Sequence, residues 1–114
     1  MLAALTAGLV LAAGAASAPA PTSAVRVAKQ HVVARLHISG LSGTFSLRSR
    51  RDPRWALVDG FYAKPGRGLW AAWLRLRDGR WRVVYAGLNT RASKPPRSAG
   101  VPCDLWPSFS EPSC

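Results

Sequence analysis

Thirteen of the sixteen cationic side chains in this chain are arginines, and eight of those fall into two clusters. Arg48, Arg50, Arg51 and Arg54 form the first, and Arg75, Arg77, Arg80 and Arg82 the second. A guanidinium presents a planar fork of donors that matches phosphate, sulfate or carboxylate oxygens two at a time. The chemistry these residues offer is therefore anion binding. The competing reading is compositional, since charged turns are commonly just solvated and GC-rich coding favours arginine over lysine.

Chemistry of other kinds has little to work with. The carboxylates are Asp52, Asp59, Asp78, Asp104 and Glu111, and Asp52 and Asp78 sit in turn-like stretches that favour Asp for backbone reasons. His31 and His37 are six residues apart, about 600° around a helix, which is a poor spacing for sharing a metal. No glycine-rich phosphate loop, nucleophile elbow or zinc-ligand spacing occurs. The sequence therefore yields no catalytic residue, metal ligand set or cofactor, and points to a non-enzymatic protein. A hydrolase-like site assembled from distant residues stays open as a third alternative. Cys103 and Cys114 lie within the last twelve residues. In an exported chain the economical reading is one disulfide closing the tail, contributing about 3 kcal/mol or less for so short a loop.

The clearest element is residues 69–88, "LWAAWLRLRDGRWRVVYAGL". Asp-Gly between two alternating runs is a strong hairpin signal, because the tight turn needs positive φ at both central residues. The two-residue turn predicts the pairs Arg77–Arg80, Leu76–Trp81, Arg75–Arg82, Leu74–Val83 and Ala72–Tyr85. One face then collects Trp70, Ala72, Leu74, Leu76, Trp81, Val83 and Tyr85 as the buried side. The other carries Leu69, Ala71, Trp73, Val84 and Ala86, and ends in four arginines. Tryptophans interleaved with arginine can be stacking platforms. Here Trp70 and Trp81 fall on the predicted core face, Trp55 on an apolar stripe and Trp106 in the tail. Only Trp73 is a candidate for the outer face, with burial under the helix or tail as its alternative.

Upstream, "AVRVAKQHVVARLHI" places Val25, Ala28, Val32 and Leu36 at helical spacing. It predicts a helix over 25–37, stopped by the glycines of "SGLSG"; an alternating, strand-like reading also exists. Strands follow over 44–50 and 54–62, with Trp55, Leu57 and Phe61 facing one way, and "AKPGRG" forms a loop. Residues 89–114, rich in Pro and Ser, read as an irregular tail, with a helical turn at "CDLWPSF". The expected fold is α+β: an N-terminal helix packed on a four-stranded antiparallel meander, with a disulfide-closed C-terminal tail. In a meander the first and third connections lie at the same end. All eight arginines would then meet on one sheet edge, with only Asp52 and Asp78 to offset them.

Residues 2–16 form an uncharged apolar run followed by "SAPAPTSA", the pattern of a secretory leader over 1–24. Cleavage after Ala16 or Ala24 avoids the neighbouring prolines. Residues 25–114 then make one small domain carrying the whole net charge of +11. No internal repeat is present, and the apolar run is too short and too rich in Ala and Gly for a membrane span. The runs "DPRWALV" and "DGRWRVVYAG", followed by "VPCDL", resemble small uncharacterised exported actinobacterial proteins with WA, W and WRVV-type strand motifs and a VP-containing tail. The likeness covers Ser49 to Leu105 and implies export and the α+β fold. It brings no activity and no catalytic residues. This chain departs in having both cysteines at its C-terminus.

The expected function is that of an exported basic protein, secreted or held at the cell envelope, whose arginines contact an anionic polymer. Polysaccharide, teichoic acid or nucleic acid would serve equally, because such pairing is largely sequence-independent and salt-sensitive. The alternative is a small inhibitor or accessory subunit that binds an acidic protein.

Overall fold

Asp78 and Gly79 both adopt positive φ, 50° and 75°, and they turn the chain between two long strands. The computed structural model describes residues 18–106. In it, helix α1 spans Thr22–Leu36 and strands β1 to β4 span Ser42–Arg48, Trp55–Tyr62, Gly68–Arg77 and Arg80–Leu88. The strands form one antiparallel sheet in the order β1-β2-β3-β4, the expected meander. The element bounds differ from the sequence reading by a few residues. Helix α1 starts three residues earlier than expected and ends at His37, which takes left-handed φ/ψ as its C-cap, ahead of the glycines. Strand β1 lies two residues upstream of 44–50.

The hairpin register matches the prediction for four rungs: Arg77–Arg80, Leu76–Trp81, Arg75–Arg82 and Leu74–Val83. The fifth is corrected. A bulge follows Leu74, so Trp73 pairs with Tyr85, and Ala72 pairs with Ala86 instead of Tyr85. One extra residue in a strand exchanges the faces of everything beyond it. Val84 is that residue. Tyr85 moves to the side of Trp73, where the two rings lie 5.8 Å apart, and small Ala86 takes its place under the helix.

Both sheet faces are covered. On one, Ala24, Ala28 and Val32 of α1 are fully buried against Ala56, Val58, Trp70, Ala72, Leu74 and Trp81. The small helix residues let the large indoles lie close beneath. On the other face, the segment after β4 runs back across the sheet through three single 3-10 turns, Asn89–Ser93, Arg97–Ala99 and Cys103–Leu105. Val101 and Leu105 seal Trp55, Leu57, Ala71 and Trp73 there. Trp73 is therefore not an outer platform: it is fully buried, and its Nε1–H donates to the Leu105 carbonyl at 2.9 Å. The tail is a second layer of the fold.

Residues 18–24, assigned above to the leader, take part in this architecture. The Ala18 carbonyl accepts from Arg48 N at 2.8 Å, the Ala20 N–H donates to Ser46 Oγ at 3.0 Å, and Ala20 and Ala24 are core residues. The remainder of the expected leader lies outside the described residues. Cys114 does too, and with it the expected disulfide closure. Among the described residues no helix is long and apolar enough to cross a membrane.

Candidate anion-binding site

The first and third connections do share one end of the sheet. Arg48 pairs with Ala56, Trp55 with Arg75, and the Leu76 N–H donates to the Arg54 carbonyl at 2.7 Å. The two arginine clusters thus come from adjoining corners.

They do not, however, form one flat surface. Alternation along the ladders puts Arg75, Arg77, Arg80 and Arg82 on the face covered by the tail. Arg48 projects on the helix face, where its guanidinium lies 5.4 Å from the Trp81 ring centroid and its Nε–H donates to the Pro53 carbonyl at 2.7 Å. Arg54 is already engaged. Its Nε and a terminal nitrogen both meet Asp52 at 3.0 Å. That hydrogen bond draws the Asp52 carboxyl below its ordinary value and raises the guanidinium in turn. Both partners are in solvent, where such a pair contributes little to stability.

Besides Arg54, the exposed arginines at this end are Arg50, Arg51, Arg77, Arg80 and Arg82. Arg75 is half-buried, 5.8 Å from the Trp55 ring centroid. Its Nε is buried and has no acceptor among the described residues. Rungs two residues apart stand about 6.6 Å from each other along the strands, and cross-strand Cβ atoms about 5 Å apart. The four hairpin arginines therefore lie within the screening length of about 8 Å at physiological salt. A ligand meets them as one charge.

A third carboxylate offsets the cluster, and the sequence did not point to it. Asp104, from the last 3-10 turn, accepts from Ser49 Oγ–H at 2.8 Å and from Arg50 N–H at 2.7 Å. Ser49 Oγ in turn accepts from the N–H groups of Arg51, at 3.1 Å, and Asp52, at 2.9 Å. This buried serine and the distant aspartate shape the whole first connection. They are 55 residues apart, and no local pattern announces their meeting. Trp55 and Trp81 were legible as core residues, though not as seats for guanidinium groups.

The histidines lie elsewhere: His31 on α1, with its pKa lowered by burial and then by Arg35, and His37 at the helix end. Among the described residues no three His, Cys, Asp or Glu side chains are grouped to hold a metal ion. The arrangement can recognise an anion electrostatically, through guanidinium groups that reach solvent. No protein-family model matches the chain, and no curated protein or solved structure proves similar to it.

Proposed function

We propose that this is an exported basic protein that binds an anionic polymer of the envelope or surroundings through the arginine end of its sheet. The observation that carries the reading is the double rung Arg75–Arg82 and Arg77–Arg80 on one face. Like charges directly opposite one another in a sheet are destabilising, and an anion laid across them relieves the repulsion. The exposed Arg50 and Arg51 extend the same corner. Binding is by charge pairing, without sequence readout. Roughly four phosphate or sulfate contacts give a log–log salt slope of about −3 to −4, an affinity loss of about a hundredfold between 50 and 200 mM salt.

The test is retention on heparin or single-stranded nucleic acid, for the wild type and for a variant with Arg75, Arg77, Arg80 and Arg82 all replaced by Gln. The expected result is salt-sensitive retention that the variant loses. Equal retention of the variant would overturn the assignment, and so would co-purification of one acidic protein that survives high salt.

Export is supported by the apolar leader pattern and by the resemblance of residues 49–105 to small exported actinobacterial proteins. The mature chain proposed begins at Ser17, because cleavage after Ala24 would remove Ala20 and Ala24 from the core. It carries a Cys103–Cys114 disulfide closing the tail. One intact-mass measurement on the secreted protein, before and after reduction, reads both features.

A further inference from the structure

At the opposite end of the sheet from the arginine clusters, where β2 ends and β3 begins, the exposed side chains change character. Phe61 and Leu69 form a cross-strand pair there. Phe45 stands one strand over, paired with Asp59, and by alternation points to the same face. Phe45, Phe61 and Leu69 are 55, 54 and 47% exposed, three of the five large apolar side chains that stand in solvent among the described residues. Gly43 helps to gather them. It takes a φ of +59° at a bulge in the edge strand β1, and a Cβ on it would fall 2.8 Å from the Phe61 ring. The ring occupies the space that a side chain would need.

Cations border this apolar tip. Lys64 and Arg67 belong to the connection between β2 and β3, in which residues 63–67 are all exposed. Arg67 lines an opening together with Phe61 and Leu69. Arg91, also exposed, comes from the turn after β4. Its Cβ lies 2.7 Å from where a Cβ on Gly87 would stand, and Gly87 pairs with Ala71. Arg91 is thus seated one strand away from Leu69 and one step behind it. The carboxylate at this end is Asp59, half-buried and one step behind Phe61. The other carboxylates among the described residues, Asp52, Asp78 and Asp104, belong to the arginine end.

We propose that this tip docks on an anionic phospholipid bilayer. Phe45, Phe61 and Leu69 enter the boundary between headgroups and acyl chains, and Lys64, Arg67 and Arg91 meet the phosphates. Interfacial binding grows with the apolar area buried and with attraction to anionic lipid, and the tip supplies both. Its order is that of the bilayer itself, apolar at the centre where hydrocarbon lies and cationic around it at the level of the charge. A second copy of the chain fits the tip poorly, because it would set three cations against three more. The tip is formed by turns and strand ends, so it can approach a flat surface ahead of the rest of the molecule.

Anionic lipid also attracts the arginine end, so the test must read which part of the protein enters the bilayer. Leu69 and Arg77 are eight residues apart on one strand, about 26 Å, which makes the two ends separable. The ¹⁵N-labelled protein is mixed with bicelles of phosphatidylcholine, with and without phosphatidylglycerol, that carry a nitroxide on an acyl chain. The full chain and the chain from Ser17 are run in parallel, so that insertion of the apolar run 2–16 is not mistaken for the tip. That run joins the fold at Ala18, beside Arg48, and would broaden signals at the arginine end. The expected result for the chain from Ser17 is broadening of the amide signals of 43–45 and 61–69 with phosphatidylglycerol, while those of 77–80 stay sharp. Replacing Phe45, Phe61 and Leu69 by Ser, all at exposed positions, should weaken this at least about tenfold, with the hairpin signals unmoved. Replacing Lys64, Arg67 and Arg91 by Gln should remove the preference for phosphatidylglycerol. Replacing Arg75, Arg77, Arg80 and Arg82 should leave the tip signals broadened, whatever it does to retention on heparin. Sharp tip signals, equal broadening in the Ser variant, or equal broadening with phosphatidylcholine alone would overturn the proposal. Tip shifts that grow with protein concentration in the absence of lipid would overturn it in favour of a second copy.

Discussion

Ser49 has one hydroxyl and uses it in three hydrogen bonds, two accepted from the connection's own backbone and one donated to Asp104. It is 2% exposed, so water cannot replace these partners. Ser49→Ala leaves Asp104 short of a donor and two backbone N–H groups without their acceptor. The expected loss is about 1–3 kcal/mol, read as a lower urea midpoint at pH 7. Asp59 acts in the opposite direction. Burial favours its protonated form in the folded state, so the stability this gives is present below the ordinary value and is lost as pH rises through the raised one. Asp59→Asn should therefore raise the unfolding midpoint at pH 7 and change it little at pH 3. None of this was legible residue by residue. Ser49 fell within the strand expected over 44–50 and Asp59 within that over 54–62, and neither pattern marks a distant partner or a buried carboxyl.

At the scale of elements the sequence was far more readable, because periodicity is local. Apolar residues at helical spacing, alternation in the strands and Asp-Gly at the bend located one helix and four strands to within a few residues. Two things escaped. The bulge at Val84 left the register near the turn untouched and exchanged Tyr85 with Ala86 beyond it. Its cause is tertiary: Tyr85 packs on Trp73 beneath the tail, and no pattern within β4 encodes that. The helix start also escaped, because the Ala- and Pro-rich composition before Val25 looked like leader. Thr22–Ala24 belong to α1, and Ala20 to its core. A chain beginning at Val25 should be measurably less stable than one beginning at Ser17. Under the export proposed above, the mature protein is accordingly expected with the Ser17 mass.

For the molecule as a whole, the meander argument placed the basic end in advance: alternate bends of one up-and-down sheet must neighbour each other, and they do. It did not foresee that strand alternation would seat Arg48 on the helix face, away from the hairpin arginines, nor that Asp104 would be brought alongside. The expected salt slope is accordingly set by about four contacts and not eight. A measured slope near −7 would mean that both faces of the sheet engage the polymer.

The return path of the chain also matters for handling the protein. Ala18 is hydrogen-bonded to Arg48 N and Asp104 to Arg50 N, so the first and last described segments both finish beside the guanidinium cluster. A label attached near Ala18 or Asp104 would therefore hang over the surface whose binding is being measured. The loop around Gly66, at the far pole, is the attachment point that keeps that corner clear.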